Sequence, residues 1–355
     1  MSVHRQPLPR WLQTYGWLEI YFSCFIFNSV SMKKCILICL GLLSWSLIFS
    51  QDSSSRWKIL ETKNSCEKRH ECAFVECDGK FYVLGGRGKK PIEEFNPETL
   101  TWTVLADAPL EFHHFQAIAF QHEIYVIAAL TGTYPHEKPI PNFLIFNPKT
   151  KSWRDGATIP VNRRRGSAGV FTRGNKIYIV CGIQDGHWAG FVNWFDEYDT
   201  ETQQWKVLPD APRPRDHFQA ALMENKLYLS GGRTSYAAIG KVLDLTVREV
   251  DVFNFITNQW STIVQGLPTP RAGTASVAKA PFLVVMNGES IAQESAHAEV
   301  EVLDTRTGNW SRLPNLDKGR HGTGAIYWKG KLYVAAGSAN RGGGPELNDI
   351  EYLDW

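Results

Sequence analysis

Residues 80–102 read KFYVLGGRGKKPIEEFNPETLTW. Phe81 to Leu84 is a short apolar, aromatic-rich run of the kind that forms strands, and it ends at Gly85-Gly86. After a polar connection comes a second run ending at Phe95-Asn96, with Thr99 and Trp102 beyond it. Asn at a turn hydrogen-bonds the backbone just ahead of it, so this half reads as strand, tight turn and Trp-bearing strand. Upstream, Asp78-Gly79 is a hairpin turn that joins one more strand to Lys80. The stretch and its preceding hairpin therefore predict four antiparallel strands, a to d.

The same unit recurs at a period of roughly 50 residues, the mark of a repeat architecture. The second half returns as Phe146-Asn147, Thr150, Trp153; as Tyr198-Asp199, Thr202, Trp205; as Phe253-Asn254, Thr257, Trp260; and as Leu303-Asp304, Thr307, Trp310. The strand ending in small residues returns as Tyr125 to Ala129, Tyr178 to Gly182, Tyr228 to Gly232, Val284 to Gly288 and Tyr333 to Gly337. Small residues there permit positive φ and close approach of neighbouring backbones. The sixth unit stops at Trp355, before its strand d, while Trp57-Lys58-Ile59-Leu60 has the look of the missing Trp strand. A ring closed by strands from both ends leaves no exposed edge. The fold class expected is all-β, a six-bladed propeller with four antiparallel strands per blade.

The di-glycine, the tyrosine and the spaced tryptophan resemble the kelch repeat, over residues 57 to 355. The resemblance implies propeller blades and is silent on activity, because the fold serves many purposes.

Antiparallel order puts the d–a and b–c connections on one face, where the b–c loops differ most in length. Thirteen residues before each strand-b anchor stand Arg69, Phe112, Arg165, Arg215, Arg271 and Arg320. The next position holds His70, His113, Gly166, Asp216, Ala272 and His321, and the one after includes His114 and His217. Strand a is innermost, so these side chains are expected to ring one mouth of the central channel, with His321, His70 and His113 grouped on one side. The b–c loops add His187, Trp188, Arg233, Tyr236, Glu289 and Arg341, and the loop of blade 1, Arg87 to Pro91, is the shortest.

Two readings of the arginines stay open: bidentate clamps on a ligand carboxylate, or donors to carbonyls at strand ends. A recurring arginine here belongs to the kelch pattern, whereas the histidines do not. The ligand-binding set is taken as Arg69, His70, His113, His114, Arg165, His187, Trp188, Arg215, His217, Arg233, Arg271, Arg320 and His321. No helical His pair or compact motif fixes ligand geometry, so the sequence assigns neither a metal nor a cofactor.

Among kelch-like enzymes, galactose oxidases need copper, two histidines, two tyrosines and a tyrosine–cysteine crosslink. This chain has no counterpart of that set, and Cys181 occupies a glycine-doublet position. Bacterial sialic acid mutarotases are exported six-bladed kelch proteins with a catalytic Glu in an Asn-Gly-Glu segment. Asn287-Gly288-Glu289 is similar to that segment, although the arginine that follows it there is missing here. The resemblance implies a general acid/base role for Glu289. The expected function is a small polar ligand, a sugar or sugar acid, bound at the loop-rich mouth, with mutarotase- or epimerase-like activity as its catalytic form. The alternative is a non-catalytic scaffold for a protein or polysaccharide partner.

With 43% hydrophobic residues and a formal net charge of +2, the chain is neither disordered nor built for nucleic acid. Met32-Lys33-Lys34 followed by the apolar run Cys35 to Phe49 and small Ser50 has the layout of a secretory leader. The expected organisation is an upstream extension at 1–31, a signal peptide at 32–50 and the propeller at 51–355. The product is expected to be periplasmic or extracellular, without a stable membrane span after cleavage. Cys66, Cys72, Cys77 and Cys181 then remain, read as buried thiols with no pairing fixed by spacing.

Overall fold

The computed structural model describes residues 56–355. The extension at 1–31 and the signal peptide at 32–50 lie outside the described residues, as does the start of the propeller at 51–55. Blade 1 is the sheet Cys72–Cys77, Lys80–Gly85, Ile92–Asn96, Thr101–Ala106, each strand antiparallel to the next. Five more four-stranded sheets follow the same order, with innermost strands Ala117–Phe120, Gly169–Arg173, Ala220–Met223, Ala275–Lys279 and Ala325–Trp328. Each innermost strand touches the next, and Ala325–Trp328 touches Cys72–Cys77, so the ring of six closes.

Closure occurs where the sequence places it. Lys58–Ile59 pairs with Ile350–Asp354 as the outermost strand of blade 6, Lys58 opposite Tyr352. Trp57 is buried, and its indole nitrogen donates to the Pro314 carbonyl at 2.8 Å. The same bond runs from Trp205 to Thr158, from Trp260 to Pro209 and from Trp310 to Gln265. In each case the indole of strand d reaches the connection leaving the preceding blade, so Trp57 acts as the repeat's sixth copy.

The core is divided rather than central. Six apolar clusters lie between consecutive blades, one at each interface. Strand b has a neighbouring blade on either face, which is why Phe81, Tyr82, Val83 and Leu84 are all apolar and buried rather than alternating. The turn asparagines and aspartates act as the sequence predicts: Asn96, Asn147 and Asp199 each accept from the backbone N–H groups two and three residues on.

The second small residue of the doublet has a specific task. The N–H groups of Gly86, Gly182, Gly232, Gly288 and Gly337 donate to the carbonyls of Phe112, Arg215, Arg271, Arg320 and Arg69 in the following blade. Gly288 illustrates why a side chain is excluded. Its φ is +125°, and a Cβ would lie 2.9 Å from the Ala272 carbonyl oxygen.

All four cysteines in the described residues are free and buried. Burial pushes the Cys72 thiol up to about 11 and the Cys181 thiol up to about 12, so neither is a reactive thiolate. No helix among the described residues is long and apolar enough to cross a membrane.

Candidate functional site

The ring positions converge on one end of the channel, but they divide into three sets with different work. The first set, the arginines, faces into the blades. Arg69, Arg165, Arg215, Arg271 and Arg320 are at most 1% exposed. Each pairs with an acid of strand c in its own blade: Glu93, Asp196, Asp251, Glu301 and Glu351. The Arg271 guanidinium lies 2.6 Å from Glu301 and also donates to the carbonyls of Thr269, Val285, Asn287 and Glu299. These guanidiniums are framework clamps. Of the two readings the sequence leaves open, the geometry favours donors to strand-end carbonyls and strand c acids, although Arg215 Nε and Arg320 Nε are buried without a partner.

Blade 2 supplies a natural control. It has Phe112 in place of the arginine, and Leu144 stands where the other blades carry the acid. Both are buried in one apolar cluster, so the ion pair has been exchanged as a unit.

The second set comprises His70, His113, Asp216 and His321. His70 pairs with Glu346 at 2.7 Å and meets the His321 ring edge-on at 6.2 Å. His113 does not join that group; it turns to the Gly132 carbonyl and to His114, with Nδ1 atoms 2.6 Å apart.

The third set consists of Glu71, His114, Ser167, His217, Gly273 and Gly322, and all six residues have φ between 50° and 67°. Backbone hydrogen bonds run around the ring from His114 N to Glu71 O, from Ser167 N to His114 O, from His217 N to Ser167 O and from Gly273 N to His217 O. This left-handed step sets all six residues around a channel cavity of about 30 Å³, with the Glu71, His114, Ser167 and His217 side chains in its wall.

Loops cover that ring. The hairpin Ile183–Asp185 with Ala189–Phe191 carries His187 inward, where it is 5% exposed. Its Nδ1 lies 3.0 Å from Glu137 of the blade 2 loop, and Glu137 is also held by Arg87 at 2.7 Å. The short blade 1 loop thus supplies a brace for Glu137. Trp188, 37% exposed, points outward and packs on His136 at 4.7 Å. Arg233 bonds Ser235 and reaches Glu289 at 2.5 Å.

Two clusters of buried titratable groups result. In one, His114, His187 and His217 bring a ring nitrogen each to within 4.8 Å of one another. In the other, Glu71, Glu289 and His321 do the same. Glu71 links the two, 3.3 Å from His114 and 3.4 Å from His321. Burial works against charge on His321, but Glu289 and Glu71 overcome it and hold the imidazolium up to about 9. Burial likewise opposes ionisation of Glu289, yet His321 and Arg233 bring it down to about 2. Burial pushes His114 well below the usual range and His217 to about 4, so both are neutral at pH 7.

Sequence reasoning missed Glu71 and Glu137. Glu71 shares its ring position with His114 and His217 and was open to the same count. Glu137 lies in a loop without repeat, and no signal marks it.

Fold and site together define a propeller whose blades are clamped by internal ion pairs and whose loop-covered mouth gathers histidines and carboxylates. The chain belongs to the kelch-repeat family: residues 114–337 match the KLHDC2/KLHL20/DRC7 Kelch-repeats domain. It is 27% identical over 301 residues to the Kelch-like protein terF of Aspergillus terreus, covering 79% of this chain and 64% of that protein. It is 27% identical over 236 residues to Alpha-scruin of Limulus polyphemus, covering 64% of this chain and 25% of that one. The chain thus spans less than two thirds of the length of these curated relatives. Among solved structures, that of YjhT superposes with a TM-score of 0.69 at 15% identity, covering 82% of this chain and 96% of that one, which shows a shared fold.

Proposed function

We propose that the protein binds a small polar ligand, a sugar or sugar acid, at the loop-covered mouth of the channel. The observation that carries this reading is the convergence of six buried titratable side chains, Glu71, His114, His187, His217, Glu289 and His321, at one channel mouth. Perturbed, buried ionisable groups lining a cavity are the usual signature of a ligand site. The enclosed space at the histidine ring is about 30 Å³, room for a water rather than a sugar ring, so the ligand would lie above it on the loop side. The proton-transfer role implied for Glu289 meets a carboxylate already engaged by Arg233 and by the Gly342 N–H, and held at about 2. Such a group suits holding charge better than moving a proton. With the five framework arginines occupied, Arg233, Arg87 and the His321 imidazolium are cations that contact the carboxylates of the site.

The test is a thermal-shift screen of the full chain against glucuronate, galacturonate and N-acetylneuraminate beside neutral hexoses. A ligand at 100 times its Kd stabilises by about 2.7 kcal/mol. Glu71→Gln, which alters the channel wall without touching the framework clamps, is expected to abolish that shift. No shift from any of these compounds with an intact fold overturns the reading in favour of the scaffold. One observation favours that second reading. Tyr134, Trp188 and Ile239 are exposed on the loops of blades 2 to 4, where the Ala237 and Ala238 N–H groups bond the His187 and Trp188 carbonyls. Such a patch suits a protein partner.

The leader-like segment at 32–50 supports export to the periplasm or cell exterior. N-terminal sequencing of the secreted protein is expected to begin near Gln51; retention inside the cell with Met1 in place overturns export.

A further inference from the structure

The hydrogen-bond pattern around the three channel histidines fixes which ring nitrogens carry protons. A carboxylate only accepts. His187 Nδ1 lies 3.0 Å from Glu137, and His217 Nδ1 lies 2.5 Å from Asp216, so each Nδ1 carries the hydrogen and each Nε2 a lone pair. The third histidine is set by a relay. His113 Nε2 is 3.2 Å from the Gly132 carbonyl and must donate to it. His113 Nδ1 is then an acceptor, and the His114 Nδ1 that lies 2.6 Å away must donate. That leaves a lone pair on His114 Nε2, which is buried, makes no hydrogen bond and lies 3.3 Å from the Glu71 carboxylate, a second electron-rich neighbour that a cation would relieve.

Three lone pairs therefore face one space. The Nε2 atoms of His187 and His217 are 3.1 Å apart, lone pair toward lone pair, a contact that repels unless something positive lies between them. We infer that His114, His187 and His217 form a binding site for a divalent first-row transition-metal ion, with its remaining coordination positions open to the channel. Zinc–imidazole bonds of about 2.0–2.1 Å in a tetrahedral arrangement put ligand nitrogens roughly 3.3 Å apart; the His187 and His217 Nε2 atoms are 3.1 Å apart, and a His114 ring nitrogen lies within 4.8 Å of the pair. The outer groups match as well. A metal-ligating histidine usually gives its other N–H to a carboxylate or carbonyl, which is what Glu137 and Asp216 accept. Glu137 is braced by Arg87, and Asp216 by the Ser235 hydroxyl and N–H. Three protein nitrogens with an open position is the pattern of a metal that meets a substrate, rather than of a structural zinc closed by four ligands. Imidazole suits zinc, iron, nickel and copper, so the donor set fixes the class of metal and not its identity. The site does not depend on a sugar being the ligand.

The test uses the full chain. After purification without chelator its metal content is measured by mass spectrometry; after stripping, it is titrated with Zn²⁺ by calorimetry and with Co²⁺ by visible absorption. One ion per chain is expected, with Co²⁺ bands of a low-coordinate nitrogen site. His187 sits on a loop, so His187→Ala spares the blades and is expected to weaken Zn²⁺ binding at least about 100-fold, with loss of the Co²⁺ bands. Glu137→Gln is expected to cost about 10–100-fold, the usual effect of losing an outer partner. His122→Ala, at an exposed turn where the ring pairs with Asp78, is expected to change nothing. The inference is overturned if the stripped chain takes up neither ion, or if His187→Ala binds as tightly as His122→Ala. It is also overturned if NMR of the stripped protein shows a proton shared between His187 and His217 that Zn²⁺ does not displace.

Discussion

Replacing Arg271 tests whether the ring arginines are framework or ligand clamps. Arg271→Met removes a guanidinium that is 0% exposed and leaves the equally buried Glu301 without its main partner. It also strips donors from four strand-end carbonyls. Arg312 approaches Glu301 at 3.3 Å, but it is 58% exposed and offers only a screened substitute. Breaking a buried pair by removing one member costs about 3–5 kcal/mol. With roughly 2.1 cal/mol/K per residue over the 300 described residues, the unfolding entropy is about 0.63 kcal/mol/K. The expected fall in Tm is therefore about 5–8 °C. Blade 2 says what the double variant does: Phe112 and Leu144 show that both charges can be exchanged together for apolar groups. Arg271→Met with Glu301→Leu is expected to regain much of the loss, with a coupling of about 2 kcal/mol. Urea unfolding followed by tryptophan fluorescence and far-UV circular dichroism reads both numbers, provided the two transitions coincide. A loss below about 1 kcal/mol for the single variant, or a double variant that merely sums two losses, refutes the framework role and returns the arginines to the ligand.

Two further outcomes follow from the same geometry. Trp57→Ala empties a buried indole from the cluster between blades 5 and 6 and is expected to cost about 3–5 kcal/mol in a thermal melt; a change under 1 kcal/mol would mean that the closing strand is dispensable. In metal-free protein, His321 titrates near 9 instead of 6.5, so its stabilisation is complete below about pH 6.5 and is lost as pH rises through 9. Glu289, near 2 instead of 4.5, stabilises above pH 4.5 and loses that contribution as pH falls through 2. The urea midpoint is expected to be highest between these limits, and His321→Gln to flatten the alkaline limb; an alkaline limb unchanged in that variant excludes His321 as its source.

What could be read from the sequence is what every blade repeats. The Phe-Asn, Thr and Trp spacing predicts the c–d hairpin because one hydrogen-bond pattern recurs at Asn96, Asn147 and Asp199. The closing strand was legible because Trp57 matches the other strand-d tryptophans. The arginines were legible as a series, but their meaning was not, because the deciding partner lies in strand c. Glu93, Asp196, Asp251, Glu301 and Glu351 each stand two residues before the aromatic or leucine of the turn anchor. A search for an acid at that offset finds every partner and explains why blade 2 lacks both members. The candidate site is the opposite case. His187, Glu137 and Arg87 come from three loops of different length, and no periodicity carries them. The protonation of His114 depends on a relay through His113 to the Gly132 carbonyl, nineteen residues beyond His113 in the chain.

The ring residues with positive φ run against economy of fold. Gly273 and Gly322 adopt this left-handed step without a Cβ penalty, and on backbone grounds glycine suits all six positions. Glu71, His114, Ser167 and His217 adopt it at a cost of roughly 1–2 kcal/mol each. Packing does not repay that cost: these side chains line the channel cavity instead of the clusters between blades. His114 and Glu71 also lose hydration on burial, and the Nε2 of His114 gains no hydrogen bond in return. Four strained, polar, channel-facing residues concentrated in consecutive blades, beside two glycines that keep the same backbone, imply that the chemistry of the side chains is what holds them there. Stability alone favours the arrangement of blades 5 and 6, and the departure from it in blades 1 to 4 is what the proposed ligand role of this ring explains.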